Sequence, residues 1–324
     1  MNTRAYIGTA GLSVWHSTDR GETWARPYSE SGLYLEARCW ALSAHPSRPG
    51  QVFAGTDSGL YRFDVADLKW RHLRSPMDEM QIWALAQAPD DPDVLLAGTR
   101  PAALFRSEDG GRHWQRLDVA FAESCIYVGV PRITAITFDP VAPERAFVSV
   151  EIDGVWRSGD GGRSFERCGE GLESQDGHDL AVMATPDGPR LFCTTNRGLH
   201  ISDDGGTRFR FHELPSRWQY TRGITPSAAG DGTVFLCNGN GPPGDDGRLL
   251  VSRDYGESWQ DAGLPGPLNS TPWAVAVDPA DPDLVFCASN LGQAFRSTDG
   301  GTRWQRLGRD FGEIRSLLWT PASS

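Results

Sequence analysis

Seven short segments of this chain carry polar side chains at matching positions, and among them are arginine, histidine and glutamate. Six segments close on a proline, and Ala229 takes that place in the other one (Pro46, Pro89, Pro140, Pro186, Pro279 and Pro321). Eight residues earlier, every segment carries a polar side chain: Arg38, Gln81, Arg132, His178, Thr221, Thr271 and Glu313. Two residues further on, the level is rich in aromatic side chains: Trp40, Trp83, Thr134, Leu180, Gly223, Trp273 and Arg315. A polar ring above an aromatic layer predicts a concave ligand pocket.

This predicted pocket suits a small polar or anionic ligand. Arginine pairs with a carboxylate through two parallel hydrogen bonds, so the arginines of these segments suit an anionic ligand such as a sugar acid. The expected ligand-binding residues are Arg38, Gln81, Arg132, His178, Arg222, Glu313, Arg315, Asp57 and Asn196. The competing interpretation is a water-filled channel whose strand ends are polar for that reason alone.

Carboxylates in the same segments raise the possibility of catalysis. Glu151 and Asp153 are the candidate catalytic residues, together with His178, which could act as a general acid or base. A glycosidase needs two carboxylates that flank the scissile bond, and a lyase needs an acid or base near the substrate. Whether the protein is an enzyme stays open. The other histidines lie at other strand levels, so neither a metal site nor a cofactor is expected.

The segments that must position these residues are punctuated by one phrase, Ser-x-Asp-x-Gly-x-x-(Trp/Phe). Its six copies begin at Ser17, Ser107, Ser158, Ser202, Ser252 and Ser297. Their spacing is about 45 to 50 residues, apart from a doubled first gap, which is typical of a repeat architecture. A short Asp side chain and a glycine predict a tight turn, and the final aromatic residue anchors it. Six equivalent copies favour a structural role over a catalytic one.

The phrase resembles the Asp-box, or bacterial neuraminidase repeat, of β-propeller proteins. Families with this repeat include sialidases, xyloglucan-active glycoside hydrolases, sortilin-type receptors and a photosystem II assembly factor. The resemblance implies turns between the third and fourth strands of propeller blades, with binding sites on the opposite face. Sialidases hold a carboxylate with three arginines, and Arg38, Arg132 and either Arg222 or Arg315 could resemble that clamp. Sialidase activity is nevertheless not expected, because Pro131-Arg132-Ile133 does not reproduce the Arg-Ile-Pro motif of that family.

The wider repeat predicts an all-β fold, a single seven-bladed β-propeller with four-stranded blades over residues 1–324. Three strand-like stretches precede each box, and residues 40–73 repeat the pattern with a degenerate box at 64–70. The chain begins within a blade, and residues 314–321 match a first strand without a successor. The C-terminal strand is therefore expected to join the N-terminal blade and close the ring.

Composition restricts the expected partners. The formal net charge is −11, which disfavours nucleic acid and anionic membrane surfaces. The sequence shows neither a long apolar span nor a signal peptide, and its six cysteines show no tight pairing pattern, so a cytoplasmic monomer is expected. The leading hypothesis is a propeller that binds a small polar or anionic ligand opposite the boxes. The alternatives are a protein-interaction or assembly-factor scaffold, and a glycoside hydrolase or lyase.

Overall fold

The computed structural model describes residues 3–126 and 128–321, so residues 1–2, 127 and 322–324 of the expected propeller lie outside the described residues. Strands β1 (Thr3–Thr9) and β2 (Val14–Ser17) precede a 3-10 helix at Ser29–Ser31. Blade 1 contains β3 (Cys39–Ser43), β4 (Gln51–Thr56), β5 (Gly59–Asp64) and β6 (Lys69–Leu73). Blade 2 contains β7 (Gln81–Gln87), β8 (Leu95–Arg100), β9 (Leu104–Ser107) and β10 (Gln115–Arg116). Blade 3 contains β11 (Ile133–Phe138), β12 (Ala146–Val150), β13 (Gly154–Ser158) and β14 (Glu166–Cys168).

The second half of the ring has the same order. Blade 4 contains β15 (Gly177–Thr185), β16 (Gly188–Thr195), β17 (Leu199–Ser202) and β18 (Arg210–His212). Blade 5 contains β19 (Tyr220–Pro226), β20 (Val234–Gly239), β21 (Gly247–Ser252) and β22 (Gln260–Asp261). Blade 6 contains β23 (Pro272–Val277), β24 (Val285–Ser289), β25 (Ala294–Ser297) and β26 (Gln305–Arg306). The last strand is β27 (Ile314–Pro321).

Seven antiparallel sheets form the predicted seven-bladed β-propeller. The closing blade has the order β2-β1-β27, with Thr3 opposite Pro321 and Ala5 opposite Trp319. Its fourth strand is reduced to a single bridge between His16 and Ala25. In blade 2 the Leu117 N–H extends the fourth strand by bonding to Leu104 O at 2.9 Å, but the corresponding Pro27 has no N–H to donate. The C-terminal strand thus closes the ring as predicted, and this blade alone departs from four strands.

Apolar side chains from neighbouring blades share the buried core. One cluster joins Leu96 and Leu104 of blade 2 with Ile133 and Val148 of blade 3. Another joins Phe286 of blade 6 with Ile7 of the closing blade. The second and third strands, such as β8 and β12, are therefore buried along most of their length, whereas the outermost strands β10, β22 and β26 are exposed. Within the described ranges, no helix is long and apolar enough to cross a membrane.

The six box turns are built as the sequence predicts. In the turn that starts at Ser158, the hydroxyl accepts the Gly162 N–H at 2.9 Å, and Asp160 Oδ1 accepts the Ser164 N–H at 2.9 Å. Gly162 has a φ of +80°, a conformation that costs glycine little. These hydrogen bonds lower the pKa of Asp160 to about 2, although partial burial opposes them. The aspartate is thus engaged in holding the turn.

The box turns also connect neighbouring blades. Arg106 of blade 2 donates to Gly161 O of the next turn at 3.2 Å, and Arg253 of blade 5 donates to Gly300 O at 3.1 Å. Arg296 reaches across the closure to Arg20 O at 2.7 Å. The register of Gln81 with Arg100 places the starts of the inner strands at the other end of the blades. The box face is therefore occupied by structural contacts.

A β-bulge interrupts the inner strand of every blade close to its start. In blade 2 the pairing shifts between Ile82 and Ala84, which leaves Trp83 outside the ladder. The residues bypassed around the ring are Trp40, Trp83, Thr134, His178, Arg222 with Gly223, Trp273 and Arg315. A bulge redirects the side chain of the extra residue. Seven bulges at one level therefore turn seven positions toward the ring axis.

Candidate functional site

The bulged residues line a cavity of about 220 Å³ at the end of the channel opposite the box turns. Arg132 joins them from the start of β11, and Asp179, Ala274, Val275, Ser316 and Leu317 form the deeper wall. We call this space the central cavity. Its wall has a cationic and aromatic upper level over a more apolar floor.

Three indoles and three guanidinium groups stack against one another in the upper level. Trp40 and Trp83 are parallel, with ring centroids 4.1 Å apart, and Arg132 lies 4.0 Å from the Trp83 centroid. Across the cavity, Arg222 lies 4.0 Å from the Trp273 centroid. Arg315 lies between the two groups, 5.1 Å from Trp273 and 5.6 Å from Trp40. The indole faces let the cations sit close together, because each ring attracts a guanidinium electrostatically.

The three arginines differ in their counter-ions. Arg132 Nη2 lies 2.7 Å from Glu151 Oε1, and Arg315 forms an ion pair with Glu313. Arg222 donates from Nε to the Tyr220 hydroxyl, and no carboxylate of the described ranges forms an ion pair with it. Burial, followed by repulsion from Arg132 and Arg222, lowers the pKa of Arg315 to about 10.

Several donors in this wall have no acceptor among the described residues. Arg132 Nε, Arg315 Nε and Trp40 Nε1 are buried and without a hydrogen-bond partner there. A buried donor that forms no hydrogen bond is costly in free energy, whereas a charge-assisted bond to an anion is among the stronger hydrogen bonds. These three atoms have almost no accessible surface, so a ligand in the cavity would bond to the other donors of the same arginines.

His178 and Asp179 form the polar side of the central cavity, and Asp176 lies beside His178. His178 Nδ1 donates to Thr221 O at 2.6 Å, and Nε2 lies 3.6 Å from Asp176 Oδ2. Burial, with a smaller contribution from Arg222, lowers the pKa of His178 to about 4. Burial raises the pKa of Asp179 to about 6, although this carboxylate accepts the Leu180 and Ile224 N–H groups at 2.9 and 3.0 Å. At neutral pH, the histidine is therefore an uncharged, fixed side chain.

The lowered pKa of His178 predicts a pH dependence of stability. An imidazole that stays neutral in the folded protein contributes stability that is complete above pH 6.5 and is lost as the pH falls toward 4. Relative to its own value at pH 7.5, the wild type should lose about 2–3 kcal/mol more unfolding free energy at pH 4.5 than His178→Asn does. Urea unfolding at both pH values measures this difference.

The comparison isolates His178 because Asp179 is present in both proteins. The raised pKa of Asp179 acts with the opposite sign, since its protonated form is favoured on folding between about pH 4 and 6. Asp176 and Arg222, the charged groups that act on the His178 imidazole, remain in both proteins. Equal losses in the wild type and in His178→Asn would contradict a neutral, buried His178.

The structure brings together only part of the predicted site. Arg132, His178, Arg222 and Arg315 line the central cavity. Gln81 carries no charge, and its Oε1 accepts a hydrogen bond from Trp83 Nε1–H at 3.0 Å. Glu151 and Glu313 reach the cavity arginines as ion-pair partners.

Other predicted residues lie outside the central cavity. Arg38 is exposed and does not line it, so the structure does not bring Arg38 together with the other predicted arginines. Asp57 accepts the Tyr34 hydroxyl at 2.8 Å and the Arg38 N–H at 3.2 Å, and Asn196 is exposed. Arg38 contacts Asp57 through its backbone N–H, and its side chain is exposed. Its position along the inner strand therefore does not indicate where its guanidinium group lies.

Among the described residues, neither Glu151 nor Asp153 forms a hydrogen bond or an ion pair with His178, the three candidates for a catalytic group. Glu151 is paired with Arg132. Asp153 accepts the Ala122 N–H at 2.9 Å and lies 3.6 Å from Arg167, away from the cavity wall. The described ranges also contain no group of three or more His, Cys, Asp and Glu side chains placed to hold a metal ion.

Sequence reasoning assigned one ring position wrongly and missed two polar residues. The aromatic level was expected to contain Leu180, but His178 is the bulged residue and Leu180 is buried between blades. Pro186 lies in the tight turn between Thr185 and Gly188, so it is a poor anchor for alignment. Asp176 and Tyr220 had no recognisable signal, since they lie just before the inner strands of blades 4 and 5 or at their start.

Comparisons with known proteins agree on the fold. No family model matches the chain. The xyloglucanase Xgh74A of Acetivibrio thermocellus is 25% identical over 325 residues, covering 80% of this chain and 38% of that protein. The vacuolar protein sorting/targeting protein 10 of Fusarium vanettenii is 21% identical over 291 residues, covering 86% and 17%. The chain thus spans less than two fifths of either curated relative.

Solved structures give the same result. A GH74 enzyme of Niastella koreensis superposes with a TM-score of 0.68 at 19% identity, over 93% of this chain and 46% of that chain. YCF48 bound to a D1 peptide superposes with a TM-score of 0.57 at 16% identity, over 89% of this chain and 93% of that chain. At these identities the likeness shows the fold alone, and the chain is similar to propellers that differ in activity.

Proposed function

We propose that this propeller binds a small carboxylate, such as a sugar acid, in the central cavity. The observation that carries the proposal is the convergence of Arg132, Arg222 and Arg315 on one buried space, in which Arg222 has no ion-pair partner among the described residues. Arg222 is half-buried. Partial removal of a cation from water without a counter-ion is unfavourable, and a carboxylate ligand would relieve that cost.

The size and chemistry of the cavity support a small ligand. A volume of about 220 Å³ corresponds to about seven water molecules at roughly 30 Å³ each. The arginines that line the cavity can donate to ligand oxygens, while Trp273 and Leu317 offer apolar contact. A sugar acid combines a carboxylate with hydroxyl acceptors and apolar C–H faces. The proposal involves binding without a catalytic step.

Calorimetric titration with glucuronate, and with glucose as the neutral control of the same ring size, tests the proposal. We expect glucuronate to bind about 10- to 100-fold more tightly than glucose, because hydrogen bonds to charged groups contribute roughly 1.5–3 kcal/mol. Equal heats for the two sugars, or no heat for either one, would contradict carboxylate binding in the central cavity.

A second candidate is a protein-interaction scaffold, and the distribution of exposed apolar side chains favours it. Six of the eight large hydrophobic residues exposed in the described ranges lie in loops at the cavity end of the blades: Leu12, Tyr28, Tyr34, Ile126, Val130 and Leu291. Exposed apolar residues grouped on one face are typical of interaction sites. The YCF48 structure contains a bound peptide, which is a property of that protein. Co-elution of a stoichiometric partner that Ile126→Glu abolishes would support this function.

A further inference from the structure

We propose that Glu151 and Glu313 are built-in counter-ions that restrict the central cavity to ligands with a single carboxylate. This inference rests on the proposed function, because it concerns the charge of the ligand that the same arginines bind. It is carried by the unequal pairing of the three arginines around one buried space.

Two of the three cations are already neutralised by the protein. Glu151 pairs with Arg132 at 2.7 Å. Glu313, directly before β27, pairs with Arg315, the second residue of that strand. The Glu151 side chain is only 10% exposed and that of Glu313 37% exposed, so Glu151 in particular is held in place by its surroundings. Neither glutamate lines the central cavity, which leaves the space beside the arginines open to a ligand.

Arg222 is the cation that a ligand can neutralise. Its guanidinium stacks on Trp273 at 4.0 Å and bonds to the Tyr220 hydroxyl, and its ion-pair distance to every described carboxylate exceeds 4.0 Å. A first ligand carboxylate can therefore bind there without displacing a protein group. Arg132 and Arg315 also line the cavity, where donors outside their ion pairs can meet uncharged ligand oxygens.

A second ligand carboxylate would meet negative charge. Besides the two glutamates, Asp176 lies close enough to interact with Arg222 and Arg132, and buried Asp179 lies in the cavity wall. Arg100 is the additional cation near Arg132 and Glu151. To bind, a ligand with two carboxylates would have to displace a glutamate from its arginine or place its second carboxylate next to that glutamate. Two carboxylates a few ångströms apart repel strongly in a site that is shielded from water.

The chemical consequence is selection by ligand charge at constant carbon skeleton. Glucuronate and glucarate have six carbons each, but glucuronate is a ring with one carboxylate and glucarate is an open chain with two. The change of their affinity ratio between the wild type and a variant therefore reports charge, because the difference in shape is the same in both proteins. The wild type should bind glucarate at least 10-fold more weakly than glucuronate. Glu313→Gln removes one built-in negative charge while keeping the side-chain shape, and it should shift the affinity ratio toward glucarate by at least 10-fold.

Calorimetric titrations of both ligands at constant ionic strength, on the wild type, Glu313→Gln, Glu151→Gln and Glu36→Gln, test the inference. Glu36 is exposed and, among the described residues, forms no ion pair with a cavity arginine, unlike Glu151 and Glu313, so its variant should keep the wild-type ratio. Equal wild-type affinities for the two ligands would overturn the inference. An affinity ratio that is unchanged in both Glu313→Gln and Glu151→Gln, while glucuronate still binds, would also overturn it. Failure of every protein to bind glucuronate would instead overturn the proposed function, and this inference with it.

Discussion

Replacing Trp319 with alanine is expected to lower the free energy of unfolding by about 3–5 kcal/mol, the cost of truncating a buried tryptophan. Trp319 is 3% exposed and stacks on Phe286 of blade 6, with ring centroids 4.4 Å apart and planes 10° from parallel. It also lies opposite Ala5 in the pairing of β27 with β1. One side chain therefore joins the last strand both to the first strand and to the preceding blade. Urea unfolding followed by circular dichroism measures the loss.

Hydrogen exchange distinguishes ring closure from a general loss of packing. If Trp319 holds the closing strand, its removal should accelerate amide exchange in β1, because detachment of β27 exposes the edge of that strand. Trp259→Ala is the matched control, since Trp259 is 7% exposed in the cluster between blades 4 and 5. Trp259→Ala should be destabilised while exchange in β1 keeps its local pattern. The same β1 exchange in both variants would show that Trp319 has no special part in closure.

The fold could be predicted from sequence because its punctuation is local. Each box turn is made by a serine, an aspartate and a glycine within five residues, so the repeat is visible without any long-range contact. The incomplete first and last blades predicted the closure of β27 on β1. The missing fourth strand of the closing blade also has a local cause in Pro27, but this effect is visible only once the register of blade 2 is known.

The site was less predictable because its geometry depends on bulges and on side-chain direction. Position along the inner strand places Arg38 and Arg132 at one level, yet Arg132 turns onto Trp83 and Arg38 remains exposed. The bulge in blade 4 aims His178 at the cavity in place of Leu180. Pairing choices, such as Glu151 with Arg132, join residues on different strands, and no sequence spacing specifies them.

Arg222→Gln is expected to weaken glucuronate binding about 100-fold, the largest functional effect among the cavity arginines. Arg222 is the arginine without a protein carboxylate, so its bond to the ligand replaces no internal ion pair. Loss of one partner from a buried charge pair costs about 3–5 kcal/mol, and the lower end of that range corresponds to the expected change. Glutamine retains donors toward Tyr220 but removes the charge that faces the ligand.

Arg38→Gln is the matched control, because it removes the same charge from an exposed arginine at the same end of the ring. Its glucuronate affinity should stay within about twofold of the wild type, since exposed charges at a distance are screened by salt. Circular dichroism melting of both variants checks that each one is folded. A large loss in Arg38→Gln with little change in Arg222→Gln would move the binding site from the cavity to the rim. Equal, small changes in both variants would mean that carboxylate recognition does not depend on the unpaired arginine, and the geometry of the cavity would then have no role in affinity.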